Sequence, residues 1–471
     1  MRGGARRICT LKKHTLCHQR CEATLSANAL FCCECCDHGQ AVTSHSLKNL
    51  FFTAATFELI VAMRCLSATS FFLCLWLVER SRGNSSLGNS LSELHTEFSV
   101  SLYQTLTETE NNSNLIVSPV SISLSLGLLQ LGARGNTLAQ LEGTMGYDVN
   151  DVRIQEAVSL PQSGLGNSSQ GVRLQLTNTL FIQGGVQLRP AFTQRVERWY
   201  NSSVLSVNFS RPNHTQGQLQ QEAQGRVGGQ EVDSGDGEEG ALWWAAAPRM
   251  TLLSSVVFQG AWQKQFLFTE TQNLPFTLSD GRTVKVPMMY QSTEVNFGQF
   301  RLPSEQRYTV LELPYLDRSL SLLVVLPSDR KTPLSQLEAQ LTGHAVALWD
   351  TGLRRTKMDV FFPRFKMHTR VNLKPVLQSL GISDAFDPSA ADFRGISGME
   401  GLFVSEAFHE ARMEVTEDGT KAAAATAMVL LKRSRTPVFK ADRPFLFILR
   451  RVDRGSVLFM GRVLNPAEQV H

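Results

Sequence analysis

The sequence predicts an α+β fold, and two observations carry that prediction. Apolar residues recur at helical spacing chiefly in the first part of the body, and short β-type runs dominate the second. Strand and helix do not alternate in the regular way that βαβ units require.

The helices come first. Leu91, Leu94, Phe98, Leu102 and Leu106 stand three or four residues apart and form one face of an amphipathic helix. Ser118-Pro119 opens a second helix: a Ser hydroxyl satisfies a free N–H of the first turn, and Pro is tolerated where its missing N–H would have no partner. Ile122, Leu124, Leu128 and Leu129 make this helix apolar, and Gly132 ends it. Apolar runs bounded by turn residues then read as strands at 172–183, 252–259, 284–289, 308–314 and 320–327. Residues 373–380 return to helix spacing and stop at Gly381, while 358–365, 445–449 and 457–460 are further strands. Residues 214–240 break the pattern, being rich in Gln, Gly and acidic side chains without periodicity, and read as a surface insertion.

Length alone, at 471 residues, suggests two or three domains. The formal net charge of +4 hints at an anionic partner, but its distribution removes the hint. Ten of the 46 basic and five of the 42 acidic residues fall in 1–83, leaving 36 against 37 in the remainder. A nearly neutral body without a basic block excludes nucleic-acid binding. All nine cysteines lie between Cys9 and Cys74, so the body carries no disulfide and no thiolate-bound metal. The cluster Cys32-Cys33-Glu34-Cys35-Cys36 reads as unstructured sequence rather than as a zinc site.

Residues 63–83 have the layout of a signal peptide. Met63-Arg64 is a charged start, 71–78 a short apolar core, and Ser81 and Gly83 are small residues suited to cleavage after Gly83. Residues 1–62 are then an N-terminal extension ahead of a functional start. A signal anchor over 50–78 is the weaker alternative, because Glu58 and Arg64 would each cost roughly 2.5–3.5 kcal/mol near the bilayer centre. Six Asn-x-Ser/Thr triplets, headed by Asn84, Asn111, Asn167, Asn201, Asn208 and Asn213, all follow Gly83 and fit a secreted, extracellular glycoprotein.

Enzyme signatures are missing. The sequence has no G-x-S-x-G elbow and no phosphate-binding loop, and His409-Glu410 continues as Ala-Arg-Met, which fails the zinc-protease pattern at its second His. The carboxylates Glu417-Asp418 lie beside Gly419, where solvent exposure is the expected state. No enzymatic activity and no cofactor are therefore expected.

The last hundred residues carry a different message. Glu417-Asp418-Gly419-Thr420 leads through Lys421 into an alanine-rich run to Ala427, then to Lys432-Arg433-Ser434-Arg435 and Pro437. This segment resembles the hinge and reactive loop of an inhibitory serpin. The likeness extends over 84–471, including NLIVSPVS at 114–121, NTLF at 178–181, FQGAW at 258–262, VPMMYQ at 286–291, ELPY at 312–315, FPRF at 362–365 and FKADRPFLF at 439–447. VLFMGRV at 457–463 is similar to clade E, the plasminogen activator inhibitor and glia-derived nexin branch.

The resemblance implies one domain over 84–471, with three β-sheets, about nine helices and an exposed loop over 417–441. It places the bait bond at Arg433-Ser434 and the hinge at Glu417, Asp418, Gly419, Thr420, Ala422, Ala423, Ala424, Ala425 and Thr426. Such a loop, once cut, enters the main sheet as a strand. With Thr420 turned inward, Ala422, Ala424, Thr426, Met428 and Leu430 share its face, all uncharged, while Lys421 falls on the other. Arg433 implies a trypsin-like serine protease as partner, bound by a monomer. Ser118, Ser121 and His409 match the family's shutter and Trp262 its breach.

Two departures stand out. Ser254 occupies the place of the usual shutter Asn, and the family's Asn-x-Trp-Val helix is replaced by 214–240. Both bear on sheet opening, so a non-inhibitory serpin whose loop is cut as a simple substrate is the second reading. The family's heparin-binding helix would follow Tyr147, where Arg153 and Arg173 are nearly the only cations, and strong heparin binding is not expected.

Overall fold

The computed structural model describes residues 91–110, 112–147, 171–200, 202–207, 250–316, 318–417, 436–453 and 455–468. All belong to the second of two units, Gly83–His471. Helix α1 spans 91–109 and buries Phe98, Leu102 and Leu106, while Leu94 lies at the edge of the stripe and is 39% exposed. Strand β1 (Leu115–Val117) leads to α2 (Pro119–Gly132), whose cap Ser118 accepts from the Ser121 N–H at 3.4 Å. Every residue of α2 is buried, which is why its sequence is apolar nearly all round.

Helix α3 (Gly135–Met145), β2 (Val172–Gln183), α4 (Pro190–Tyr200), β3 (Ser203–Val207) and β4 (Met250–Gly260) follow. Next come β5 (Gln272–Thr277), β6 (Thr283–Arg301), β7 (Arg307–Pro314) and β8 (Leu320–Pro327). Helices α5 (Leu334–Gln340) and α6 (Gly343–Gly352) precede β9 (Arg354–Pro363), β10 (Phe365–Asn372) and α7 (Leu373–Ser379). The chain closes with β11 (Val404–Val415), β12 (Val438–Lys440), β13 (Phe445–Arg451) and β14 (Val457–Val463). Seven α-helices thus stand among the described residues.

One sheet has five strands in the order β10-β11-β4-β2-β3. The other is a nine-stranded network in the order β1-β14-β13-β8-β7-β6-β9-β12, with β5 also on β6. The 19-residue β6 explains this size: residues 296–301 pair with β7, 288–297 with β9 and 283–288 with β5. Two of the three sheets implied by the resemblance therefore share this strand.

Helix α2 lies beneath the five-stranded sheet and touches β2, β4 and β14. The expected strand over 358–365 divides at Arg364, where the chain passes from the nine-stranded sheet into the five-stranded one. Pro363 has no N–H to extend the ladder, and the Arg364 N–H donates to the Pro287 carbonyl instead, at 2.9 Å.

Candidate functional site at the seam between two parallel strands

The centre of the five-stranded sheet is the parallel pair β4 and β11, in register from Val404 with Met250 to Met413 with Phe258. His409 faces Ser254 across this seam. His409 is fully buried, which pushes its pKa down to about 3 against a weaker opposing pull from Glu410, so the ring is neutral near pH 7.

Its partners fix the tautomer. Nε2 accepts the backbone N–H of Ser118 at 3.0 Å, so the ring proton sits on Nδ1 and is donated to Ser254 Oγ, also at 3.0 Å. The Ser254 hydroxyl is then free to donate to Ser121 Oγ at 2.8 Å, and Ser121 donates to Asn178 Oδ1 at 3.1 Å. Ser125 reaches the same Asn178 oxygen at 3.0 Å, and Ser118 Oγ donates to the Leu458 carbonyl at 2.6 Å. A one-way chain of hydrogen bonds therefore runs from β11 through β4 and α2 to β2, with β14 joined through Ser118. Each link is buried, where an unmade bond is most costly.

The upper end of the seam is held by aromatic packing. Trp262, just past β4, stacks on Tyr315 at 4.5 Å and 15° and meets Phe266 edge-on at 5.9 Å. Its indole N–H donates to the carbonyl of Thr416, the residue after β11, at 2.8 Å. Gly260 makes the approach possible, because a Cβ there would lie 2.7 Å from ring atoms of Phe258 and Tyr315.

Glu417 corrects an expectation. It is buried, not solvated: Oε1 accepts from Thr271 Oγ1 at 2.9 Å, Oε2 lies 3.6 Å from Arg364 Nη1, and its carbonyl accepts the Phe266 N–H at 3.1 Å. On the carboxylate itself, two partners replace the water that it otherwise requires.

The structure thus gathers Ser118, Ser121, Ser254 and His409 into one cluster and sets Trp262 and Glu417 at the root of the segment that follows β11. Asn178, Ser125, Tyr315, Thr271 and Arg364 complete the two sites and were not singled out from the sequence. Asn178 lies inside the NTLF motif, so position was available as a signal, whereas Thr271 has none. The rest of the hinge from Asp418 to Thr426, Arg433 and Ser434 lie outside the described residues. So do the six sequon asparagines, the tract 1–83 and the insertion 214–240.

A closed parallel seam with a polar cluster beneath it and an anchored exit after β11 agrees with the serpin resemblance of the sequence. Comparison with known proteins agrees. The family model described as "Serpin (serine protease inhibitor)" matches residues 93–466, and the chain belongs to this family. It is 70% identical over 412 residues to "Probable serpin E3" of Danio rerio, covering 86% of this chain and 99% of that one. Glia-derived nexin of Mus musculus is 33% identical over 386 residues, 80% of this chain and 94% of its own. Neuroserpin of Homo sapiens is 32% identical over 381 residues, 79% and 91%. A solved structure described as "Crystal structure of native protease nexin-1 with heparin" superposes with a TM-score of 0.70 at 31% identity, covering 80% of this chain and 100% of that one. These relatives are consistent with clade E.

Proposed function

We propose that this chain is a secreted, non-enzymatic inhibitor that traps Arg-specific, trypsin-like serine proteases at Arg433-Ser434. The observation that supports this most is the β4–β11 seam, because its polarity favours a strand arriving from β11. Loop insertion is the recognised strand-addition behaviour of the family. A chain that turns back after Glu417 runs antiparallel to β11, and therefore antiparallel also to the parallel partner β4. One slanted parallel ladder is exchanged for two antiparallel ones, which are slightly more stable per residue. The protease, still joined to Arg433 through its acyl bond, is carried along.

The inward residues Thr420, Ala422, Ala424 and Thr426 are small or neutral, so the incoming strand brings no unpaired charge into the core. Ser254, the departure from the usual Asn, donates and accepts within the cluster, which supports a working shutter. In this reading the mature protein is a monomer over 84–471, released after Gly83, glycosylated at sequons of the body and independent of strong heparin binding.

The test is a denaturing gel of the protein mixed with trypsin, thrombin or a plasminogen activator. Trapping gives a stable band at the summed mass that Arg433→Ala and Thr420→Arg abolish. Clean cutting after Arg433 with no such band would make the chain a non-inhibitory serpin cut as a substrate.

A further inference from the structure

The five-stranded sheet ends in two edges, β10 and β3. An edge strand shows a row of backbone N–H and C=O groups that another extended chain can pair with, so folded proteins blunt it with charge, proline, a bulge or a covering element. β10 is blunted in two of these ways. Lys366, His368 and Arg370 lie along it, and Thr369 Oγ1 accepts the Ile116 N–H at 3.1 Å, which ties β10 to β1.

β3 has no such protection in its own sequence. It reads Ser203-Val204-Leu205-Ser206-Val207, without a charge or a proline. It pairs with β2 in unbroken register, from Thr179 with Ser203 to Gln183 with Val207, so no bulge bends it away. Among the described residues no strand lies on its other side. Val204 packs on the main core, while Leu205 and Val207 pack with Phe181 on the opposite face. The result is an uncharged, apolar edge whose only restraint is its length of five residues.

The chain on either side of β3 supplies what the strand lacks. Two of the six sequons bracket it: Asn201-Ser202-Ser203 ends on its first residue, and Asn208-Phe209-Ser210 begins directly after its last. Five residues of strand span about 17 Å, and Asn201 is two links, at most about 7 Å, from Ser203. A bulky, solvated glycan at each end would flank an edge no longer than this.

We infer that Asn201 and Asn208 are a glycosylated pair that shields the open edge of β3, keeping a second copy of this chain from pairing with it. The inference rests on the export reading above. In the modification, the side-chain amide nitrogen bonds the anomeric carbon of an oligosaccharide carried on a lipid diphosphate. The bond from that carbon to the diphosphate oxygen breaks, and the amide proton leaves with the lipid diphosphate. A bare β3 adds the same strand of a second copy, an isologous pairing that joins two sheets edge to edge. The proposed monomer thus depends on sugar at this edge.

The experiment expresses the full chain in cells that export and glycosylate protein. The parent is compared with Asn201→Gln/Asn208→Gln, with the same pair carrying Ser206→Lys, and with Asn84→Gln/Asn111→Gln, which removes two sequons elsewhere in the chain. Peptide masses before and after enzymatic removal of N-glycans give the occupancy of each Asn, and light scattering at equal concentration gives the rate of assembly. Ser206 is exposed, so a lysine there charges the edge without disturbing the core. We expect sugar at Asn201 and Asn208 in the parent and assembly about tenfold faster in their double variant. Adding Ser206→Lys should bring the rate back to within about twofold of the parent, where Asn84→Gln/Asn111→Gln also stays. If the double variant is not exported, stripping glycans enzymatically from the folded parent, with and without Ser206→Lys, makes the same comparison. Exported protein with Asn201 and Asn208 bare, or stripped protein that stays monomeric, would overturn the shield and leave export intact. A parent chain retained in the cell with no sugar at any sequon would remove both.

Discussion

Acidification tests the cluster at the seam through His409. In the unfolded chain a histidine takes up its proton near pH 6.5, whereas in the fold burial holds His409 at about 3. The unfolded state therefore binds the extra proton first, and stability present above pH 6.5 is lost as the pH falls from there toward about 3. At pH 5 the linkage amounts to about 2 kcal/mol from His409 alone. His95, buried in α1 and pushed down to about 4, contributes a similar amount over the same window. His409→Gln removes one titration and keeps the hydrogen bonds, since a Gln oxygen can accept from Ser118 and its amide can donate to Ser254. The assay is the midpoint of the first urea transition at pH 7.5, 6 and 5 for parent and variant. The parent should lose about 2 kcal/mol more than His409→Gln between pH 7.5 and 5. Identical losses would show that His409 titrates in the fold near its unfolded value, and the buried, neutral ring assigned here would be wrong.

Three further outcomes follow from the geometry. Ser254→Ala leaves the buried Nδ1–H of His409 without an acceptor, so the closed sheet should lose about 1–3 kcal/mol, read as a lower first thermal transition. Glu417→Lys sets a buried cation beside Arg364 and removes the acceptor for Thr271; a loss of about 3–5 kcal/mol is expected, while Glu417→Gln, which keeps the Thr271 bond, should cost far less. Gly260→Ala drives a methyl to within 2.7 Å of two aromatic rings and should destabilise by about 1–3 kcal/mol, with near-ultraviolet circular dichroism reporting the displaced Trp262–Tyr315 stack.

How much of this was legible in the sequence depends on which force shaped each element. Helix α2 and strands β2 and β8 could be read to the residue, because a buried helix and buried strands are written as apolar runs with clear ends. Strand β11 could not. Its outward residues Glu406, Glu410, Arg412 and Glu414 interrupt the apolar pattern, and ion pairs such as Glu410 with His368 and Arg370 exist only once β10 lies alongside. The far half of β6 was missed likewise, since its buried positions Gln291, Val295 and Gly298 stand four and three residues apart rather than alternating as the strand crosses between sheets. At the site, Ser118, Ser121, Ser254, His409 and Trp262 were singled out through family likeness, and hydrogen bonds join the first four in the structure. The partners of Glu417 could not be found, because Thr271 and Arg364 lie 146 and 53 positions away in the chain and reveal nothing until the sheet end closes over them.

The proposed insertion also draws on how the closed seam is held. On the inner face of β11, His409 is flanked by Ala407 and Ala411, side chains that offer little area to hold β4 by packing. What joins the strands there is the backbone ladder and the Ser254–His409 bond, both of which depend on direction and distance. An apolar seam of leucines would weaken gradually as it parted and would resist any newcomer that did not match its shape. Hydrogen bonds instead can be lost to one partner and remade with another, and a strand running antiparallel to both neighbours supplies donors and acceptors to each. The barrier is therefore set by the few bonds that must break before the newcomer arrives. Those bonds converge on His409, Ser254 and the anchored carbonyls of Thr416 and Glu417, so the substitutions above should change the rate of opening more than the fold that results.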